Sequence, residues 1–530
     1  MTGANHDDDC RAAAAARTAP VVGDAAVHRA ADPDLDGAAA VSAGAALVDL
    51  LGHMGRYRVQ LDLGDSPWLS QYYEFHWAAI GNLGVDLLVQ LLAPIFGLEL
   101  AVKLIILAIP PMTVAGFLWV AREVHNRIPP TAIFALPLAY SHPFLFGFVN
   151  FSLSMALAFL AFGLWLRLGR LGKTRLRAAL FVPISVFIFI THTFGWGTLG
   201  MLCFSAEAVR QHDRGANWFR AGYRAALHAS SLALPIVFML VWRSDAPPGQ
   251  TADWFNWEAK FQWLKMIFRD RWKNWDLISA AILVAVMVEC IRNPRLGFSR
   301  NLGFSALVMF LVFIMLPRII FGSAYADMRL TPFLFALVLL AIRFRSDTHK
   351  RTANVLAVLG MAFYLARIAT TTASFAMAAN DHRNKLEALN YVPMGAKVAS
   401  LVGQGCVDWW SMPRNSHLGA MVIVRRQGFS NDQWDIAGTN LMNIRYDAGA
   451  FSSDPTEIVR PSRCRIARKW RIVNNRLRGD WKIDTALKNL PRDKFDYVWI
   501  VDVAPYDMKL VSGMTPVWKG SRSMLYRIDK

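Results

Sequence analysis

Long apolar runs separated by short polar connectors make up most of the chain, and the runs have the length of membrane crossings rather than of core strands. A helix that spans the hydrocarbon needs roughly 20 mostly apolar residues. The stretches 100–121, 131–146, 148–166, 178–192, 194–209, 225–243, 276–291, 302–320, 330–345 and 353–372 reach or approach that length. The connectors alternate in charge. Arg122/Arg127, the run Arg167-Arg170-Lys173-Arg175-Arg177, Arg210/Arg214/Arg220/Arg224, Arg292/Arg295/Arg300 and Arg343/Arg345/Lys350/Arg351 all fall on one side. The opposite connectors 140–150 and 191–197 hold neither Lys nor Arg. By the positive-inside rule the basic side is cytoplasmic. The pattern predicts a polytopic α-helical membrane protein with about 10–11 spans, multi-pass in a bacterial inner (plasma) membrane.

Parity then places everything after about residue 373 outside. Residues 381–530 read as an extracytoplasmic (periplasmic) α/β domain, with buried strands at 396–402, 419–424 and 497–503 and an edge strand at 525–528. Cys406 and Cys464 both fall in this oxidising-side domain, either as a disulfide or as two buried thiols. Residues 47–80 also lie outside, provided that 81–97, with Asp86, Gln90, Pro94 and Gly97, rests in or dips into the outer leaflet without crossing. The chain thus divides into an atypical Ala-rich segment (1–46), a first extracytoplasmic loop with juxtamembrane helices (47–99), a transmembrane helical domain (100–372) and the C-terminal domain (381–530). The first segment lacks the layout of a signal peptide, and its apolar stretch 37–48 is too short to cross. Parity nevertheless expects a helix ahead of Leu47, hence a misassigned start or a frameshift that removes it.

Composition agrees. Of 530 residues, 54% are hydrophobic and 18% charged, with 33 Phe and 19 Trp, and the mean hydropathy is +0.29. A soluble chain carries about 25% charged residues, so a disordered protein and an ordinary cytosolic enzyme are excluded. A formal net charge of +18 would suit nucleic acid, but the basic residues sit in connectors between apolar runs. No nucleic-acid partner is expected; the lipid bilayer is. Five cysteines form no CxxC pair, and no HExxH-type spacing supports a resident metal. No cofactor is expected, and a divalent ion is left open.

Ionisable groups beside a bilayer are costly and mark function by default. The first outside segment concentrates them: Asp49, His53, Asp62, Asp65, Glu74, His76 and Asp86. Asp49 and His53 are four apart and share a helix face. A partly desolvated carboxylate at Asp49 could take a proton from an attacking hydroxyl; the structural alternative is that it caps the helix that follows. Arg318 and Arg329 fall at headgroup depth, where a guanidinium fork suits a lipid phosphate, or where the arginines simply anchor a helix end. Asp327 could orient Arg329 or meet an acceptor. His142, Asn150 and His192 occupy Lys/Arg-free outside connectors and could line the same cavity, or satisfy tight interhelical turns. In the connector 242–275, Trp254, Trp257, Trp263, Trp272 and Trp275 interleave with Lys260, Lys265, Arg269, Arg271 and Lys273, as an interfacial helix would.

A first outside loop with a membrane-proximal acid at Asp49, an apolar juxtamembrane stretch ending at Phe96-Gly97, many short spans and an outside α/β tail together resemble the GT-C superfamily of polyprenyl-phosphate-sugar-dependent glycosyltransferases. That superfamily includes protein O-mannosyltransferases and aminoarabinose transferases. Pro143–Phe151 and Gly428–Trp434 are similar to stretches of uncharacterised bacterial membrane proteins. The resemblance implies a polyprenyl-phosphate-linked sugar as donor and a glycan, lipid or protein of the envelope as acceptor. It also implies an inverting displacement with Asp49 as base, His53 beside it, and Arg318 or Arg329 on the leaving phosphate. The chain departs from the family in offering only Asp49…His53 where paired acids are usual, which keeps Asp62, Asp65 and Asp86 as rivals. A transporter or flippase of a lipid-linked or amphipathic solute would share the spans. Transporters usually show internal repeats and midplane broken helices, whereas no convincing repeat is found here and the ionisable residues sit at one surface instead of the midplane. A non-catalytic envelope assembly protein is the third reading.

Overall fold

The computed structural model describes residues 46–530 apart from 79, 242–249, 321, 346–349, 408–409, 436–439, 466–470, 474–475, 480 and 504. The Ala-rich segment through residue 45, with most of the 37–48 stretch, lies outside the described residues. Five described helices are long and apolar enough to cross a membrane: Leu98–His125, Val149–Arg170, Thr174–Thr191, Lys273–Arg292 and the long helix beginning at Lys350. A sixth crossing is reached if Trp218–Leu232 and Leu234–Leu240, bent by 67°, count as one. Arg300–Met315 and Met328–Ala341 are shorter apolar helices. Several of the ten predicted stretches are thus shorter than a full crossing, as their lengths in the sequence foreshadow. One predicted span, 131–146, is not a single helix. Pro130–Tyr140 winds as a 3-10 helix and His142–Phe146 as a short α-helix; Pro137 and Pro143 remove the backbone donors a continuous helix needs. Gly84–Phe96 has 13 residues, about 20 Å of helix and too short to cross.

The C-terminal domain is built on a mixed sheet. Lys397–Gly403 pairs in parallel with Tyr497–Val501 on one side and with Ile458–Arg460 on the other, while Ser523–Ile528 lies antiparallel between Tyr497–Val501 and Met514–Gly520. Ser523–Ile528 is thus internal, not an edge. The strand expected at 419–424 is instead the helix Ala420–Arg426. Its residues 420–424 are buried throughout, and a short, wholly buried apolar run carries no period to separate helix from strand. Cys406 and Cys464 form a disulfide, with Cα atoms 5.1 Å apart.

The first connector folds onto this domain. Tyr73–Phe75 pairs antiparallel with Met442–Ile444, and the helix Leu50–Asp62 lies against Ala420–Arg426 through Gly55, with Gly52 against Trp434 and His417. A Cβ on Gly55 would come 3.1 Å from Ala420 Cβ, so only glycine permits the approach. Arg425 grips Glu99 at the start of Leu98–His125 with two bonds of 2.9 and 3.0 Å, and Arg414 pairs with Asp270. One core runs from Leu47, Val48 and Phe144 to Val398, Val422 and Trp499, so connector, bundle and C-terminal domain fix one another's positions.

Candidate active site where the first connector meets the C-terminal domain

Asp49 occupies the N-cap position of Leu50–Asp62 yet makes no capping hydrogen bond through its side chain. Its backbone N–H donates to Phe146 O at 2.9 Å, and Gly147, at φ +107°, leaves no room for a Cβ beside it (2.8 Å from Asp49 N). The carboxyl is therefore held by main chain and free for other work. Burial pushes it up to about 7; Asp454 adds to the rise, while His417 and Arg329 oppose it.

The groups facing it come from three parts of the chain. His417 lies at φ +58° just ahead of the Ala420–Arg426 helix. Its Nδ1 donates to Asp432 O at 2.8 Å and lies 3.6 Å from Glu457 Oε1 and 3.7 Å from Asp432 Oδ2. Burial alone would depress its pKa, but Glu457, Asp432, Asp454 and Asp49 hold it well above the ordinary value. Glu457 Oε2 and Asp432 Oδ1 are buried without hydrogen-bond partners, and burial raises Glu457 well above its ordinary value and Asp454 to about 6. His417 and these two raised acids therefore hold protons more tightly than they would in water. His417, Asp454 and Glu457 offer ligand atoms within 4.8 Å of one another. A divalent ion accepting imidazole and carboxylate donors could take the place of a proton held there.

On the membrane side, Arg329 sits in the turn Met328–Leu330 under an aromatic cage, its guanidinium 4.3 Å from the Phe148 ring, 5.6 Å from Phe194 and 5.9 Å from Phe151. It donates to Ser323 Oγ (3.1 Å) and Ala324 O (3.3 Å), while its buried Nε has no partner. His192 edges onto Phe151 and Phe194. Its Nδ1 accepts from Phe194 N at 3.1 Å, which places the ring proton on Nε2.

His53, one turn along the helix, stacks 5.1 Å from Trp434 with Nδ1 unpartnered. Burial and the positive charges of Arg56 and His417 hold it neutral. It lies four residues from Asp49 on the same helix face but makes no hydrogen bond to the Asp49 carboxylate.

The other predicted residues fall elsewhere. Asp86 and Asn150 are consumed in a buried network. Arg56 pairs with Asp86, Gln60 donates to Asp86 O, and Asn150 donates to Asp86 Oδ2 at 3.0 Å while accepting from Val85 N at 2.5 Å. This network fastens Leu50–Asp62 to Gly84–Phe96 and Val149–Arg170, so both residues are placed in packing and not in a cavity. Asp327 does not orient Arg329; it pairs with buried Lys260 at 3.2 Å and caps the turn through Met328 N. Arg318 is neutralised by Asp253 at 3.2 Å and lies over Tyr325, next to Trp263 and His142. Arg318 and His142 thus form a neighbouring group, linked to Asp49 through Phe146. Asp62 pairs with Arg58 and Asp65 is exposed. Of the connector tryptophans, Trp254, Trp257 and Trp272 are exposed, as an interfacial segment requires. Lys260, expected among the headgroup-facing cations, is buried instead.

His417, Asp454 and Glu457 carry the C-terminal half of the site and were not among the expected residues. Asp432 and Trp434 fall within the stretch Gly428–Trp434 singled out above.

No family model matches the chain, and no curated protein matches it. Among solved structures the chain is similar to ArnT from Cupriavidus metallidurans bound to undecaprenyl phosphate, at 11% sequence identity, with 93% of this chain and 97% of that chain covered and a TM-score of 0.45.

Proposed function

We propose that the protein is a membrane glycosyltransferase of the GT-C type, transferring a sugar from a polyprenyl-phosphate donor to an envelope acceptor, a glycan, lipid or protein, at the outer face of the membrane. The observation that carries this reading is Asp49: a helix-cap aspartate that caps nothing, desolvated to a pKa of about 7, with an arginine in its field whose Nε lacks a partner.

The chemistry is a single displacement. The acceptor hydroxyl oxygen bonds to the anomeric carbon as the bond from that carbon to the phosphate oxygen breaks. The electron pair leaves on the phosphate, and the hydroxyl proton moves to Asp49. A base whose pKa lies near neutrality combines a substantial ionised fraction with real proton affinity. Arg329 is fixed before reaction by its aromatic cage and two oxygen acceptors, so its remaining N–H can meet the growing phosphate charge without reorganisation. His192 Nε2–H is a second donor on the same side. One displacement inverts the anomeric centre. A phosphate diester leaving group needs little acid assistance, so one carboxylate suffices.

Membranes containing the full chain, given radiolabelled polyprenyl-phosphate sugar, should transfer label to endogenous acceptor, and Asp49→Asn should abolish transfer while leaving the protein folded. Transfer that survives Asp49→Asn refutes the assignment. Movement of labelled donor across the bilayer without transfer would establish the transporter reading instead.

A further inference from the structure

At the end of the helical bundle away from the C-terminal domain, six helix ends enclose a hollow of about 1140 Å³. Nine Arg and Lys side chains and three carboxylates line it among the described residues. The carboxylates are already engaged. Glu123 holds Arg170 at 2.9 Å, Glu207 holds Arg177 at 3.0 Å with Arg210 at 3.9 Å, and Asp213 holds Arg300. Arg127, Arg214 and Arg343 are left exposed with no carboxylate partner among the described residues.

Two ordinary explanations for such cations fall short. Snorkelling arginines spread around a rim and point to lipid, whereas these converge on one concavity. Cations at helix C-termini complement the helix dipole, which accounts for Arg127, Arg210 and Arg214. It does not account for Arg177, Arg300 and Lys350, which stand at the N-terminal ends of Thr174–Thr191, Arg300–Met315 and Lys350–Leu386, where a cation meets the positive end of the dipole. Helix N-termini and guanidinium groups aimed at one space favour an anion.

Arg177 gives the independent sign of a ligand. It is 1% exposed, stacked 3.9 Å from the Trp165 ring, and its Nη2 is buried with no hydrogen-bond partner. Gly169 makes room for both guanidinium groups beside it; a Cβ there would clash with Arg210 Nη1 and sit 3.0 Å from Arg177 Nη1. With one arm in an ion pair to Glu207, the guanidinium keeps a charged N–H donor on the other for a further anionic acceptor.

We propose that this hollow binds a phosphate-bearing anion, supplied either by an anionic phospholipid headgroup of the cytoplasmic leaflet or by a soluble phosphate. The site is separate from Asp49, on the other side of helices about 33 Å long, and does not rest on the glycosyltransferase reading. Basic pockets between helices on the cytoplasmic face are where anionic headgroups are recognised.

The test uses the purified full-length chain and a triple variant, Arg127→Gln/Arg214→Gln/Arg343→Gln, at three positions that carry no ion pair among the described residues. Native mass spectrometry measures retention of phosphatidylglycerol against phosphatidylcholine; calorimetric titration with inorganic pyrophosphate measures the soluble alternative. We expect one of these anions to bind, with affinity lowered by raised salt and by about tenfold to a hundredfold in the variant, at unchanged thermal stability. Preferential retention of phosphatidylglycerol without pyrophosphate binding assigns a lipid; pyrophosphate binding that displaces the lipid assigns a free phosphate. Arg214→Gln alone serves if the triple variant fails to fold. Retention of both lipids alike with no pyrophosphate binding, or a folded variant that binds as the parent does, overturns the proposal.

Discussion

A Cβ on Gly52 of the first connector helix would fall 2.7 Å from Trp434 Cη2 and 3.1 Å from His417 Cγ, so a single methyl group there reaches the C-terminal half of the site. Gly52→Ala gains helix propensity but must displace Trp434, His417 or both, and overpacking of this kind costs about 1–3 kcal/mol. Transfer activity should fall well beyond the loss of stability, because His417 moves away from Asp49. Gly64→Ala is the control, since nothing lies within 4 Å of a Cβ at Gly64. Thermal unfolding and label transfer on both variants check this; equal effects at the two positions would contradict it.

Asp49 should impose a rising pH profile. Its ordinary pKa is 3.8 and burial brings it to about 7, so the base is mostly protonated below neutrality and the transfer rate should climb through about pH 7. The stability sign is opposite. Between those two values the folded state binds more protons than the unfolded state, so stability falls as pH rises. Asp49→Asn abolishes transfer and removes the Asp49 share of the stability dependence, leaving that of Asp454 and its neighbours. Transfer rates and melting temperatures, each followed from pH ~5 to ~8 around that value, read the two effects separately, and a rate that is flat across neutrality removes Asp49 as the base.

Asp86 predicts the contrary pattern. Asp86→Ala leaves Arg56, 5% exposed, charged and unpaired, which costs about 3–5 kcal/mol. Folded yield and melting temperature should drop sharply, and the specific activity of whatever remains folded should hold near that of the parent. Detergent-solubilised protein, sorted by size exclusion before assay, separates the two quantities.

That contrast marks where the sequence was legible. Ionisable residues next to apolar runs stood out, and Asp49 and His192 both lie within the electrostatic reach of Arg329. The same signal drew in Asp86, Asn150 and Asp327, because an ion buried against Arg56 or Lys260 looks identical in sequence to one awaiting substrate. His417, Asp454 and Glu457 sit in turns of the C-terminal domain, where no period exists. They reach Asp49 only through tertiary pairing across more than 350 positions, the pairing set by Gly52, Gly55 and the strand Tyr73–Phe75. The long spans followed from composition alone. The prolines at 137 and 143 did interrupt 131–146, a break that outranked its apolar length.

Arg329 separates phosphate recognition from plain charge. Arg329→Lys keeps a cation but replaces the planar fork with a point charge, and the Phe148, Phe151 and Phe194 cage is shaped for a flat group. If the guanidinium meets the leaving phosphate as that charge develops, kcat/KM for the polyprenyl-phosphate sugar should fall about 10- to 100-fold, or roughly 1.4–2.8 kcal/mol of transition-state stabilisation. Binding of polyprenyl phosphate itself, measured by competition, should weaken in parallel, because product and transition state share the charged oxygen. A structural role alone predicts a lower melting temperature with unchanged competition by polyprenyl phosphate. The two outcomes are read on the same preparation, and unchanged competition would place the phosphate elsewhere, Arg318 then being the next residue to substitute.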